Sequence, residues 1–164
     1  MRVPSVTAWQ VAGWMLRLAT AAALAIDAYA HADLVDHYAI NQNPGGLSQG
    51  DLFHIESGVA SLAALLIILS GWRLVWAFVA LVAASALAAI LISANYDIGS
   101  IGPVPDMYEP LWFTEKTMTA WAEAFAIGFA VIGFALASSF RRRPAARQVE
   151  RREEPVDATA TWRG

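Results

Sequence analysis

Asp27 and His31 stand four residues apart in an apolar stretch, so on an α-helix a carboxylate and an imidazole share one face and can touch. Farther along the chain, Glu56 and Glu123 are carboxylates set in other apolar runs. Asp27, His31, Glu56 and Glu123 make a mixed nitrogen and oxygen donor set, which suits Zn²⁺ or another divalent cation, or a relay of protons. The competing reading is a hydrogen-bond network that ties helices together, with some of the carboxyl groups carrying a proton and no cofactor bound. No His-x-x-x-His pair is present to strengthen the metal reading. Lys116, Thr119 and Glu123 follow one helical stripe at i, i+3 and i+7, which makes Lys116 the candidate ion-pair partner of Glu123. His54 and Glu56 are two residues apart and point about 160° away from each other on a helix, so only one of them can face an interior. Glu56 lies deeper in its apolar run, and burial makes its need of a partner the greater.

The segments that hold these residues are long and apolar. From Leu74 to Tyr96 no side chain is ionisable apart from that last tyrosine, and at ~1.5 Å per residue the run is long enough for a ~30 Å hydrocarbon layer. Three more segments are long enough to cross, which predicts helices at about 11–34, 52–71, 74–96 and 117–140. The expected fold is all-α: a polytopic membrane protein built as an antiparallel bundle of four transmembrane helices. Residues 1–140 form its single membrane domain. The remainder, 141–164, is expected to be a disordered cytoplasmic tail. Composition agrees, because 57% hydrophobic against 15% charged residues leaves too little polar surface to cover a soluble globule of this size.

The first helix admits two readings. Arg17 can reach the interface beside Trp9 and Trp14, leaving a span interrupted by Asp27. Alternatively, the basic start, the apolar run Leu18 to Ile26 and Ala28-Tyr29-Ala30 match the pattern of a cleaved signal peptide. Asn41 to Gly46 is a turn cluster, and Ser48 with Asp51 resembles a capping box that opens the second helix. Small residues at Ser57, Gly58, Ser61, Ala124, Gly128, Gly133 and Ala137 suit close helix packing in lipid. The connection from Gly99 to Pro110 is too rich in glycine and proline for a helix, and its apolar residues predict an ordered lid over one end of the bundle.

The net charge of −3 conceals an asymmetry. All ten arginines lie at the N-terminus, in the connection at Gly71–Arg73, or in the tail, while Lys116 is the one basic residue elsewhere. The positive-inside bias therefore places both termini in the cytoplasm of a plasma-membrane protein and the loops 35–51 and 97–114 outside. Ten carboxylates and all three histidines then fall in the outer half.

The runs LAIDAYAHADLVDHYAI, LSQGDLFHIESGVASLAALL and NYDIGSIGPVPDMYEPLWFTEKTMTAWAEA resemble the recurring blocks of a group of small actinobacterial integral membrane proteins. The resemblance spans about residues 14 to 126. It implies that the Gly-Pro-rich loop and the polar outer ends belong to the design, and it carries no activity with it. A more distant likeness to DoxX-type four-helix membrane proteins rests on size and topology alone, which transfers no redox role.

Several chemistries are excluded. Without cysteine there are no disulfides, thiolate metal sites or iron–sulfur clusters, and neither a Walker loop nor an HExxH helix is present. No catalytic residue is assigned, and nothing points to nucleic acid. The expected role is structural, assembly or ligand-binding, with a polar pocket facing outside. The alternative is a membrane-embedded enzyme, or a proton- or metal-coupled carrier, using the intramembrane histidine and carboxylates. The lipid bilayer is the expected partner, joined by another membrane protein or a second copy of the chain.

Overall fold

The computed structural model describes the backbone of residues 8–152 and the side chains of residues 8–137. Four helices follow in order: α1 Ala8–Tyr38, α2 Gln49–Leu69, α3 Arg73–Asn95 and α4 Thr114–Arg152. Each packs on the next and α4 closes back on α1, giving an up-down-up-down bundle with the α2–α3 turn at one end and the two longer loops at the other. All four helices contain a stretch long and apolar enough to cross a membrane, and in none of those stretches is more than 33% buried within the protein. The apolar surface is turned outward. Leu62, Leu65, Leu81, Phe125, Val131 and Ile132 are exposed along the middle of the helices, an arrangement that suits hydrocarbon as the surrounding solvent. Exposed aromatics gather towards the ends, with Trp9, Trp14 and Trp72 near the turn end and Tyr96, Tyr108 and Trp112 near the loop end, as interfacial belts do.

The helices outrun the apolar segments that predict them. α1 continues to Tyr38 because no helix breaker intervenes before the turn cluster at Asn41. α4 extends beyond Phe140 as helical backbone through Arg152, covering half of the segment expected as a disordered tail. Residues 153–164 lie outside the described residues. α1 has the most extensive contacts of any helix with α2 and also packs on α4, so the stretch that could be read as a signal peptide is here a full member of the bundle.

Apolar packing fills the half of the bundle nearest the α2–α3 turn, where Leu24, Ala63, Ile67, Trp76, Val79, Ala83, Ala126 and Ala130 meet. Alanines bring the backbones together. Ala122, Ala126 and Ala130 form the inward stripe of α4, whereas Gly58, Ser61, Ala124 and Gly128 are exposed or half-buried, contrary to the packing expected of them. Ala137 does pack on the core, and Gly133 lies directly beneath the Trp76 indole, where a Cβ would collide with the ring. At the same end the Arg17 guanidinium lies against Gly71 and 5.1 Å from the Trp14 ring centre, and Arg73 lies 4.2 Å over Phe134. Both arginines thus set their guanidinium groups against aromatic rings at this end of the bundle.

The loop end is a constructed lid. Gly46 N–H donates to the Asn43 carbonyl across a turn whose third residue, Gly45, has φ of 75°, the positive value that a type II turn demands after its proline. The two loops are then bonded together. Leu47 N–H donates to Pro103 O at 2.9 Å, Asn43 Nδ2 to Val104 O at 3.0 Å, and Asn41 Nδ2 to Asp106 O at 2.8 Å. Gly46 packs so closely on the second loop that a Cβ would stand 2.6 Å from Pro103 O. Ser48 caps α2 as the sequence suggests: its hydroxyl accepts from Asp51 N–H and the Asp51 carboxylate accepts from Ser48 N–H.

Candidate metal centre

Above the apolar half the inward stripes of α1 and α4 turn polar. On α1 the stripe runs Thr20, Leu24, Asp27, His31, and on α4 it runs Ala130, Ala126, Glu123, Thr119, Lys116; every one of these residues is buried. Counted from the loop end, Asp27, Glu56 and Glu123 lie about 10 to 17 Å into their helices at 1.5 Å per residue, so they meet in one layer. Asp27 and Glu123 are each only 1% exposed.

Three of the four residues singled out by the sequence converge. One ligand atom from each of Asp27, His31 and Glu123 lies within 4.8 Å of the other two. His31 Nδ1 stands 2.9 Å from Asp27 Oδ1 and 3.1 Å from the carbonyl oxygen of the same residue, the alignment favouring the carbonyl. The carboxyl groups of Asp27 and Glu123 approach within reach of a hydrogen bond, should one carry the proton. As ionised groups they have none. Both oxygens of Asp27 and both of Glu123 are buried without a hydrogen-bond partner among the described residues. The fourth residue, Glu56, stands close enough for its charge to act on Asp27 and His31 but lies outside the three-residue contact. Its Oε1 is also buried and unpartnered, while His54 two residues before it is exposed, as their separation requires.

The ion pair expected between Lys116 and Glu123 is not formed. The Lys116 ammonium instead donates to the backbone carbonyl of Glu109 and lies 5.6 Å over the Trp112 ring. Seven residues separate the two along α4, about 10 Å of rise, and Lys116 finds a nearer acceptor in the lid. Among the described residues the one contact of a basic with an acidic side chain within 4 Å is that of His31 with Asp27.

A cavity of about 360 Å³ lies between this layer and the lid. His31, Glu56 and Thr119 line it from below, Lys116 and Glu109 from the lid side, and Phe53, Ile90 and Phe113 are among its apolar walls. Phe53 sets its ring edge-on to both His31 and Tyr38, at 5.3 and 5.2 Å between ring centres. The sequence points to a polar pocket at this end but not to its lining, because the walls come from all four helices and the lid. The Asn-rich turn was the available signal for the lid bonds, since asparagine side chains readily bond neighbouring backbone.

The donor set fits a divalent ion. Two ligand atoms each ~2.1 Å from one Zn²⁺ stand at most ~4.2 Å apart, so side chains already within 4.8 Å need draw in only slightly. An imidazole with two carboxylates suits a first-row transition ion better than Ca²⁺ or Mg²⁺, which favour oxygen alone. No family model matches the chain, and neither the curated proteins nor the solved structures yielded a significant match.

Proposed function

We propose that the chain is a plasma-membrane protein that binds a divalent transition-metal cation between α1 and α4, with Asp27, His31 and Glu123 as ligands and Glu56 beside them. The observation that carries this reading is the pair of buried carboxyl groups whose four oxygens accept no hydrogen bond among the described residues, the His31 ring standing 2.9 Å from Asp27 Oδ1. Charged groups inside a bilayer cost a few kcal/mol each unless something compensates them, and two carboxylates in contact cannot both stay ionised without a cation or proton between them. A cation held by both, with the imidazole as third ligand, meets that need. The charge asymmetry supports cytoplasmic termini and a site that lies in the outer half of the membrane. The role is then one of ligand binding or assembly, and no catalytic step is assigned.

A second reading has the same residues sharing a proton, as a carrier or a purely structural pair would. It draws on the same close approach of Asp27 and Glu123. Titrating chelator-stripped protein in detergent with Zn²⁺ separates the two. Saturable binding of one ion per chain, lost in Asp27→Asn, supports the metal centre, whereas binding that is absent or unchanged in the variant favours the proton-sharing pair.

A further inference from the structure

The chamber above the polar layer has features the metal centre does not use. Two buried polar atoms without a partner among the described residues belong to residues that line it: Glu56 Oε1 from α2 and Thr119 Oγ1 from α4, the latter residue only 3% exposed. His31 lines it too. A carboxylate only accepts hydrogen bonds, whereas a threonine hydroxyl accepts and also carries one proton of its own that needs an acceptor when buried. An ammonium can donate to both groups but leaves the Thr119 proton unmet, and a carboxylate cannot donate to Glu56. A hydroxyl donates to Glu56 and accepts from Thr119, which satisfies both.

The walls around these groups are apolar, and the way in runs through the side of the bundle. Val104, Met107 and Phe113 close the lid side. Ile55 of α2 is 55% exposed on the outer surface and Ala89 of α3 is exposed as well, yet both line the chamber. The opening therefore lies along the α2–α3 flank, where the helix surface is otherwise apolar. A second hollow of about 280 Å³ adjoins the first through the shared walls Ala89, Ser93, Val104 and Met107, and continues past Ile92, Ile98 and Ile101. The two hollows thus lie side by side, the first holding the polar groups and the second walled mostly by apolar residues of α3 and the 98–108 loop.

We propose that this chamber binds a membrane-soluble amphiphile with a free hydroxyl head, the hydroxyl seated between Glu56 and Thr119 and the hydrocarbon part running along the second hollow. A volume of about 360 Å³ falls within the range of small-molecule sites. The proposal shares Glu56 with the surroundings of the metal centre but uses none of the three ligands Asp27, His31 and Glu123.

The chain has no cysteine, so Ser93→Cys places one thiol on the wall shared by both hollows. The full-length variant in phosphatidylcholine nanodiscs is labelled with N-ethylmaleimide in the presence of 1-decanol, decane or decanoate. At a decanol concentration about ten times its Kd, labelling should slow about tenfold by mass action, with decane and decanoate having little effect. Adding Glu56→Leu should remove the protection, as should Thr119→Val, a milder change in case the first perturbs folding. Asp27→Asn should leave protection intact, so failure here and failure of the metal centre are separable. Equal protection by all three compounds would make the chamber an unselective apolar hollow, and protection by none would make it a water-filled vestibule. Either result overturns the proposal.

Discussion

The effect of substituting Asp27 should depend on what lies between it and Glu123. With Zn²⁺ present, Asp27→Asn removes a ligand and should lower the melting temperature in detergent. With chelator the loss should largely disappear, because the metal-free carboxyl pair shares a proton and the introduced amide donates to Glu123 in its place, a hydrogen bond worth about 1 kcal/mol in either case. A melting curve of each form in each condition checks this, and an equal loss with and without Zn²⁺ would contradict a shared cation. Glu56 lies beside the three-residue contact, so Glu56→Gln should weaken Zn²⁺ by the roughly 10- to 100-fold typical of an outer-shell partner while one ion still binds at saturation. The contact of Asp27 with His31 could be read from the chain because it spans one helical turn. The approach of Glu123 could not, since it depends on which faces of α1 and α4 meet. Lys116 departs from its expected pairing for a similar reason: its acceptor is a carbonyl in a segment without a regular period.

Helix packing and the lid give tests that leave the polar layer alone. Gly133 sits under the Trp76 indole, so Gly133→Leu should cost about 1–3 kcal/mol by overpacking. The corresponding change at Gly128, where nothing lies within 4 Å of a built Cβ, should be nearly neutral. Thermal unfolding in detergent distinguishes them, and equal losses would show that the α3–α4 seam is not where the structure puts it. Gly46→Ala should act locally, since its Cβ would press on Pro103 O and part the two loops. Faster hydrogen exchange in residues 99–106 with an unchanged melting temperature is the expected signature. The four helices and the cap at Ser48 were readable because apolar run length and capping chemistry are local properties. Which small residues pack inward was not: Gly128 and Gly133 are alike in the sequence, and only the rotation of α4 decides that Gly133 faces a neighbour.

At the level of the entire chain, sidedness and occupancy are the quantities to measure. If the basic residues mark the cytoplasmic face, a thiol introduced by Asp97→Cys, an exposed position at the loop end, should react with an impermeant maleimide added to intact cells. Reaction only after lysis would invert the bundle and turn the chamber towards the cytoplasm. Apolar packing fills one half of the bundle while the other holds buried carboxyl groups, a cavity and a lid. The most direct test of the cation between α1 and α4 is elemental analysis of full-length protein purified without chelator from cells grown in metal-replete medium. About one divalent metal ion per chain is expected by the metal-centre reading, falling to background in Asp27→Asn and in Glu123→Gln while both remain folded by circular dichroism. Metal-free wild-type protein, or equal metal in the wild type and both variants, would contradict it.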